Sequence, residues 1–125
     1  MKPFNPWTER QKSILVLEQD IIIAQDLAEC LREIDPLVDV VSVFTFDKLR
    51  EALGTGQMYH LAIVPLKIRN APNNELFSLL KAKVATLVFH GDRVGRCADE
   101  EDLHVLEKPF SVETVRTLYG NVTSA

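Results

Sequence analysis

The sequence predicts an α/β protein whose five parallel strands form one sheet covered by helices on both faces. Three observations carry that prediction. Five short apolar runs, rich in β-branched residues, recur along the chain. Between them lie segments whose apolar residues repeat every three or four positions, as one face of a helix does. Turn-forming clusters such as "DP", "GTG" and "NAPNN" separate the two kinds of segment. Strand and helix in alternation is the pattern of parallel sheets.

The first strand is "ILVLE" (14–18), a continuous apolar run closed by an acid, which marks a strand buried on both faces. Asp20 is placed to cap a helix that carries Ile23, Leu27, Cys30, Leu31 and Ile34 on one stripe. "DP" at 35–36 ends it, because the residue before a proline is pushed out of the helical region. "VDVVSVF" (38–44) is the second strand. Thr45 or Asp47 caps a short helix holding Phe46, Leu49 and Leu53, and "GTG" at 54–56 stops it.

"HLAIVPL" (60–66) is the third strand, with Pro65 where the chain leaves the sheet. A loop through "NAPNN" (70–74) leads to a helix with Glu75, Leu76, Leu79 and Leu80. "VATLVF" (84–89) is the fourth strand. The polar stretch "HGDRVGRCADEED" (90–102) has room for one short or irregular helix. "LHVLEKPF" (103–110) is the fifth strand, and Ser111 caps a last helix with Val112, Val115 and Leu118.

A chain of 125 residues fits one domain, here residues 13–125, preceded by a polar extension over 1–12 that holds the only tryptophan, Trp7. Trp7 is expected to pack back on the domain in preference to the other reading open to it, anchoring a partner. The net charge of −4, with basic residues scattered, gives no footprint for nucleic acid. No apolar run approaches the roughly 18 residues of a membrane span, and the start has no secretory h-region. Cys30 and Cys97 share no ligand spacing, and Cys30 falls on an apolar stripe and reads most simply as a small core residue, so a reducing cytoplasm is expected.

In parallel sheets the working crevice lies at the carboxyl ends of the strands. Those ends bring together Glu18, Gln19 and Asp20, then Pro65, then His90 and Gly91, then Lys108. His60, His90 and His104 have no shared ligand spacing on one element, which argues against a histidine metal site.

"ILVLEQD", "HLAIVPL" and above all "VLEKPFSVETV" resemble the receiver domain of bacterial response regulators, over residues 13–119. The resemblance implies a flavodoxin-like (βα)5 fold and a role in two-component phosphorelay signalling. In the family, an acid pair after the first strand holds Mg²⁺, a cation that wants carboxylate oxygens. Here the pair is Glu18 and Gln19, followed by Asp20, so one charge is replaced by an amide. Mg²⁺ binding is then expected to be weak or absent. Glu18 and Asp20 are the only metal candidates, and a solvated strand end plus a helix cap explains them equally well.

The family's phosphoacceptor aspartate belongs at the end of the third strand, where this sequence has Pro65. Proline offers no nucleophilic oxygen and no backbone N–H. No aspartate occurs between Asp47 and Asp92, so no shift of register along the strand supplies one. The family's hydroxyl residue at the end of the fourth strand is replaced by His90, read here as a partly exposed loop histidine. Its aromatic switch position holds Val105. Lys108 and Pro109 are retained, which implies a cis bond between them and an ion pair from Lys108 to Glu18 or Asp20.

The expectation is therefore a degenerate, stand-alone receiver that is not an enzyme, takes no phosphate and acts by binding proteins such as a histidine kinase or an output protein. Val105, Phe110 and Tyr119 are the candidates for its interaction face, with Phe110 more simply a core residue. An alternative is a small flavodoxin-like ligand-binding domain or enzyme using the same crevice. It would want a glycine-rich turn after the first strand, and "EQDIIIAQD" has none. Its hydrolase form fares no better, because Ser13 and His90 fall at opposite ends of their strands. A third reading is a working receiver with an unusual acceptor, Glu75 or His90.

Overall fold

Alternation of inward-facing residues on consecutive strands is what splits this chain's apolar content into two layers. A computed structural model describes residues 12–68, 75–91, 104–107 and 110–123. Strands β1 (Ser13–Leu17), β2 (Asp39–Val43), β3 (Tyr59–Pro65), β4 (Val84–Gly91) and β5 (His104–Glu107) form one parallel sheet in the order β2-β1-β3-β4-β5. Helices α1 (Ile21–Ile34), α2 (Phe46–Leu53), α3 (Glu75–Lys83) and α4 (Val112–Thr123) connect or follow them, and Leu66–Ile68 form a single 3-10 turn.

Ile14 and Val16 of β1 join Leu61, Ile63, Val88 and Leu106 beneath α1 and α4, which contribute Leu27, Leu31, Val115 and Tyr119. Leu15 and Leu17, pointing the other way, join Ala62, Val64 and Phe89 beneath α2 and α3, which supply Leu49, Leu53 and Leu80. β3 is the central strand and all seven of its residues are buried, whereas the edge strand β2 is only half-buried beyond Asp39. That gradient explains why β1 and β3 read as unbroken apolar runs while β2 admits Asp39 and Ser42.

The helix boundaries follow local chemistry. The Asp20 carboxylate accepts from the N–H groups of Ile22 (2.9 Å) and Ile23 (3.3 Å), so α1 starts where the sequence places it. Of the two caps open for α2, Thr45 is used, its hydroxyl accepting from Lys48 N at 3.1 Å. Ser111 accepts from Thr114 N at 3.2 Å and begins α4. α1 ends at Asp35, whose N–H reaches Leu31 O (2.9 Å) while its carboxylate accepts from Leu37 N (3.2 Å) and from the Tyr119 hydroxyl (2.8 Å). Gly56, at φ 86°, takes the left-handed turn after α2 that a residue with a Cβ resists.

Two expectations change. β4 runs two residues further than "VATLVF", because His90 and Gly91 pair with Leu106 and Glu107. β5 is described over His104–Glu107, within the expected 103–110. Cys30 is half-buried against the core edge and not sealed within it. The polar stretch after Gly91 and the leader before Lys12 fall outside the described residues, as do Cys97, Lys108 and Pro109, with the cis bond expected between the last two.

Candidate functional site

The carboxyl rim of the sheet is built from the end of β1 outward. Glu18 follows β1, donates its N–H to Val43 O of β2 (3.2 Å), and is only 5% exposed. A carboxylate so buried needs hydrogen-bonding partners. Its Oε1 accepts from Asp20 N at 3.0 Å, and its Oε2 lies 3.6 Å from Nδ1 of His90. Gln19 is exposed between them, and Asp20 uses its own carboxylate to cap α1.

Pro65 sets the character of the next strand end. β1 and β3 are paired in parallel through Ile14↔Leu61, Leu15↔Ala62 and Val16↔Ile63, and there the ladder stops. Continued one step, this register would have the carbonyl of Leu17 accept from the N–H of residue 65. Residue 65 is proline and has no N–H. The missing donor comes from the side: His90, paired with Pro65 across the β3–β4 ladder, brings Nε2 to 2.7 Å from Leu17 O. A carbonyl can only accept, so Nε2 carries the hydrogen and donates. His90 is thus a ladder hydrogen bond supplied by a side chain.

That assignment fixes the other ring nitrogen's task. With Nε2 donating, Nδ1 faces Glu18 favourably only when a proton lies between them, on the ring or on the carboxyl. The opposite end of the same ladder is closed in a related way, by Ser13 N donating to Nδ1 of the buried His60 at 3.0 Å. Two histidines therefore finish the β1–β3 ladder, one at each rim.

Several sequence readings are altered by these contacts. His90 is not a partly exposed loop histidine: it is a strand residue, 5% exposed, with both ring nitrogens engaged. No local signal marks this in the sequence: the proline leaves a neighbouring carbonyl without a donor only once the strand register is known, and His90 is then the polar residue level with it. Tyr119 is not presented to a partner. It is buried against the sheet and its hydroxyl is spent on Asp35, whereas Val105 and Phe110 are half-buried. Burial, then the hydrogen bond to Asp35 and its charge, push the Tyr119 phenol far above its usual range. The residues that sequence reasoning passed over are Ile21 and Ile22, the first turn of α1, the latter 70% exposed beside the rim.

The rim brings Glu18, Asp20, Pro65 and His90 together, and Ser13 stands at the far end of β1 from His90. The residues present do not fit a divalent cation. Glu18 is held by a backbone N–H and a ring nitrogen, Asp20 by two helix N–H groups, and positions 19 and 65 contribute no carboxylate. Among the described residues no three His, Cys, Asp or Glu side chains are grouped to hold a metal. Nor, among the described residues, is any helix long and apolar enough to cross a membrane.

The chain matches no protein-family model and no curated protein. It is similar in structure to SdrG from Sphingomonas melonis Fr1, at 22% identity and a TM-score of 0.68, over 92% of this chain and 98% of that one. It is similar to a response regulator receiver domain protein from Bacillus halodurans, at 14% identity and a TM-score of 0.71, over 92% and 99% of the two chains. A response regulator receiver protein from Sinorhizobium medicae aligns at 16% identity and a TM-score of 0.68, over 92% and 96%. The chain therefore has the receiver-like, flavodoxin-like fold, with the sheet order that the strand pairing shows.

Proposed function

We propose that this domain is a receiver-like module of two-component signalling that accepts no phosphoryl group and works by binding other proteins in the cytoplasm. The observation that supports this most directly is Pro65 at the rim of the central strand, level with a buried His90 that is committed to Leu17 O. An acyl phosphate forms when a carboxylate oxygen attacks phosphorus, and a pyrrolidine ring has no such oxygen. The rim's carboxylates at Glu18 and Asp20 are occupied in holding the fold. His90, the alternative acceptor, is buried with its ring nitrogens engaged, and Glu75 starts α3 instead of standing at a strand end.

A domain without this covalent input can still signal through partners that favour one of its conformations. The exposed pair Ile21 and Ile22 borders the rim, and α1 continues away from it with Asp26, Glu29 and Glu33 exposed. An apolar tip on an acidic helix suits a basic, partly apolar protein surface, such as one on a histidine kinase or an output protein.

The test is intact-mass spectrometry of the purified protein after incubation with acetyl phosphate and Mg²⁺. No hydroxylamine-labile phosphoryl adduct is expected, and its appearance would overturn the reading. For the partner, capture from a lysate should weaken on Ile22→Lys and with rising salt. Capture indifferent to both removes α1 as the docking face.

A further inference from the structure

The edge strand β2 turns part of its backbone away from the sheet. Asp39 donates its N–H to Lys12 O (2.7 Å), and the carbonyl of Val43 accepts from Glu18 N (3.2 Å), both toward β1. In a strand the N–H and C=O of one residue point the same way, and consecutive residues point opposite ways. Asp39, Val41 and Val43 therefore face β1, while Val40 and Ser42 present N–H and C=O outward. Among the described residues no strand lies on that outer side, where the sheet order begins. Edges are commonly blunted by proline or lysine, and "DVVSV" has neither.

The two faces beside this edge differ in chemistry. Val41 and Val43 pack on the α2 side of the sheet, and Val40 on the α1 side. On the α2 side, Val43 and Phe44 face Lys48, Glu51, Ala52 and Thr55 across a groove of about 440 Å³. Lys48 and Glu51 pair at 3.2 Å, so this wall offers a ligand no net charge. On the α1 side, Asp26 and Glu33 are exposed, each about half a turn round the helix from Asp35. Asp35 holds Tyr119 of α4, so the two acids lie on the other flank, toward β2. Cys30 shares their stripe: burial first, then the charges of Glu33, Asp26 and Glu29, raise its thiol.

An extended chain laid along β2, about 4.8 Å away, meets both faces at once, because its side chains alternate between them. A second copy of β2 suits the edge poorly. Antiparallel pairing about a twofold axis would set the acidic flank of α1 beside its own copy, and like charges across an interface are costly.

We propose that the outer edge of β2 takes up an extended segment of a partner protein as a further strand, with apolar residues over the α2 groove and basic residues over Asp26 and Glu33. The site rests on the reading of this domain as a protein-binding module, and it is separate from the Ile21–Ile22 tip. Backbone pairing supplies the affinity of such a strand and the alternate side chains its selectivity.

The probe is a synthetic octapeptide alternating valine and lysine, with a control of the same composition in two blocks. Amide hydrogen exchange by NMR should show Val40 and Ser42 gaining protection on addition of the alternating peptide. The block control should bind roughly tenfold more weakly, as should a peptide N-methylated on its bonding residues. Asp26→Lys with Glu33→Lys, both at exposed positions, should reverse the preference toward a valine–glutamate peptide. Ala52→Glu should weaken binding, with circular dichroism confirming that the fold persists. Ile22→Lys should leave binding unchanged, so failure of this site and failure of the α1 tip are read apart. Unaltered exchange at Val40 and Ser42 with millimolar peptide overturns the proposal, as does loss of binding on Ile22→Lys. Protection of both amides without peptide overturns it too, by placing this chain on the edge when independent of concentration or a second copy when it grows with it.

Discussion

If His90 replaces the hydrogen bond that Pro65 cannot make, the two residues must be energetically coupled, and a double-mutant cycle measures that coupling. In the parent, His90→Ala strips Leu17 O of its 2.7 Å donor and leaves Glu18 without the ring at 3.6 Å. An unsatisfied buried carbonyl costs about 1–3 kcal/mol. The loss at Glu18 and the cavity add to that. In a Pro65→Ala background the new N–H lies in register to donate to Leu17 O. His90→Ala then costs only the Glu18 and cavity contributions, which are common to both backgrounds and cancel in the cycle. The expected coupling is therefore the carbonyl's own ~1–3 kcal/mol, with His90→Ala milder once the proline is gone. Lost apolar contact and the wider unfolded ensemble of Pro65→Ala enter both legs and cancel too. Urea unfolding followed by far-UV circular dichroism gives all four stabilities, provided the m-values agree. A His90→Ala cost equal in the two backgrounds to within about 0.5 kcal/mol would refute the assignment of His90 as the stand-in donor.

Three further outcomes follow from the same contacts. Tyr119→Phe removes the hydroxyl that donates to Asp35 Oδ2 at 2.8 Å and should cost about 1–2 kcal/mol in urea unfolding; no loss would mean that the bond does not tie α4 to α1. Burial and the charge of Asp39 raise the Tyr59 phenol, as burial and Asp35 raise that of Tyr119. Both protons are therefore held more tightly folded than unfolded, so stability is full below the unfolded value of about 10 and declines as pH rises above it. Ultraviolet titration should show tyrosinate appearing late and together with unfolding; ordinary ionisation of either ring near pH 10 would contradict this. Asp20→Ala removes a cap serving two N–H groups of α1 and should cost about 1 kcal/mol, whereas Asp20→Asn should retain most of the stability.

The fold was legible because each strand and helix is locally consistent. The apolar runs of β1 and β3 state their burial on two faces, and Asp20, Thr45 and Ser111 state where helices begin. Pro65 was legible as a residue without the oxygen that the family's chemistry needs. What it does to the sheet was not, since a missing N–H matters only when the neighbouring strand's register is known. His90 was misread for the same reason: its burial comes from Leu17 and Glu18, more than seventy positions away, and no window of sequence around "FHG" contains them. Tyr119 reads as a surface aromatic near the end of a helix until Asp35 is brought beneath it. Long-range polar contacts of this kind leave no period in the sequence.

The ring of His90 starts on β4 and ends on β1, passing over the strand that lies between them. It acts as a crossbar, holding the width of the crevice mouth by a side chain where backbone pairing has run out. Any displacement of the β4 terminus relative to β1 must first break this bar. A partner that required the mouth to open would have to supply its own donor to Leu17 before the gap could widen.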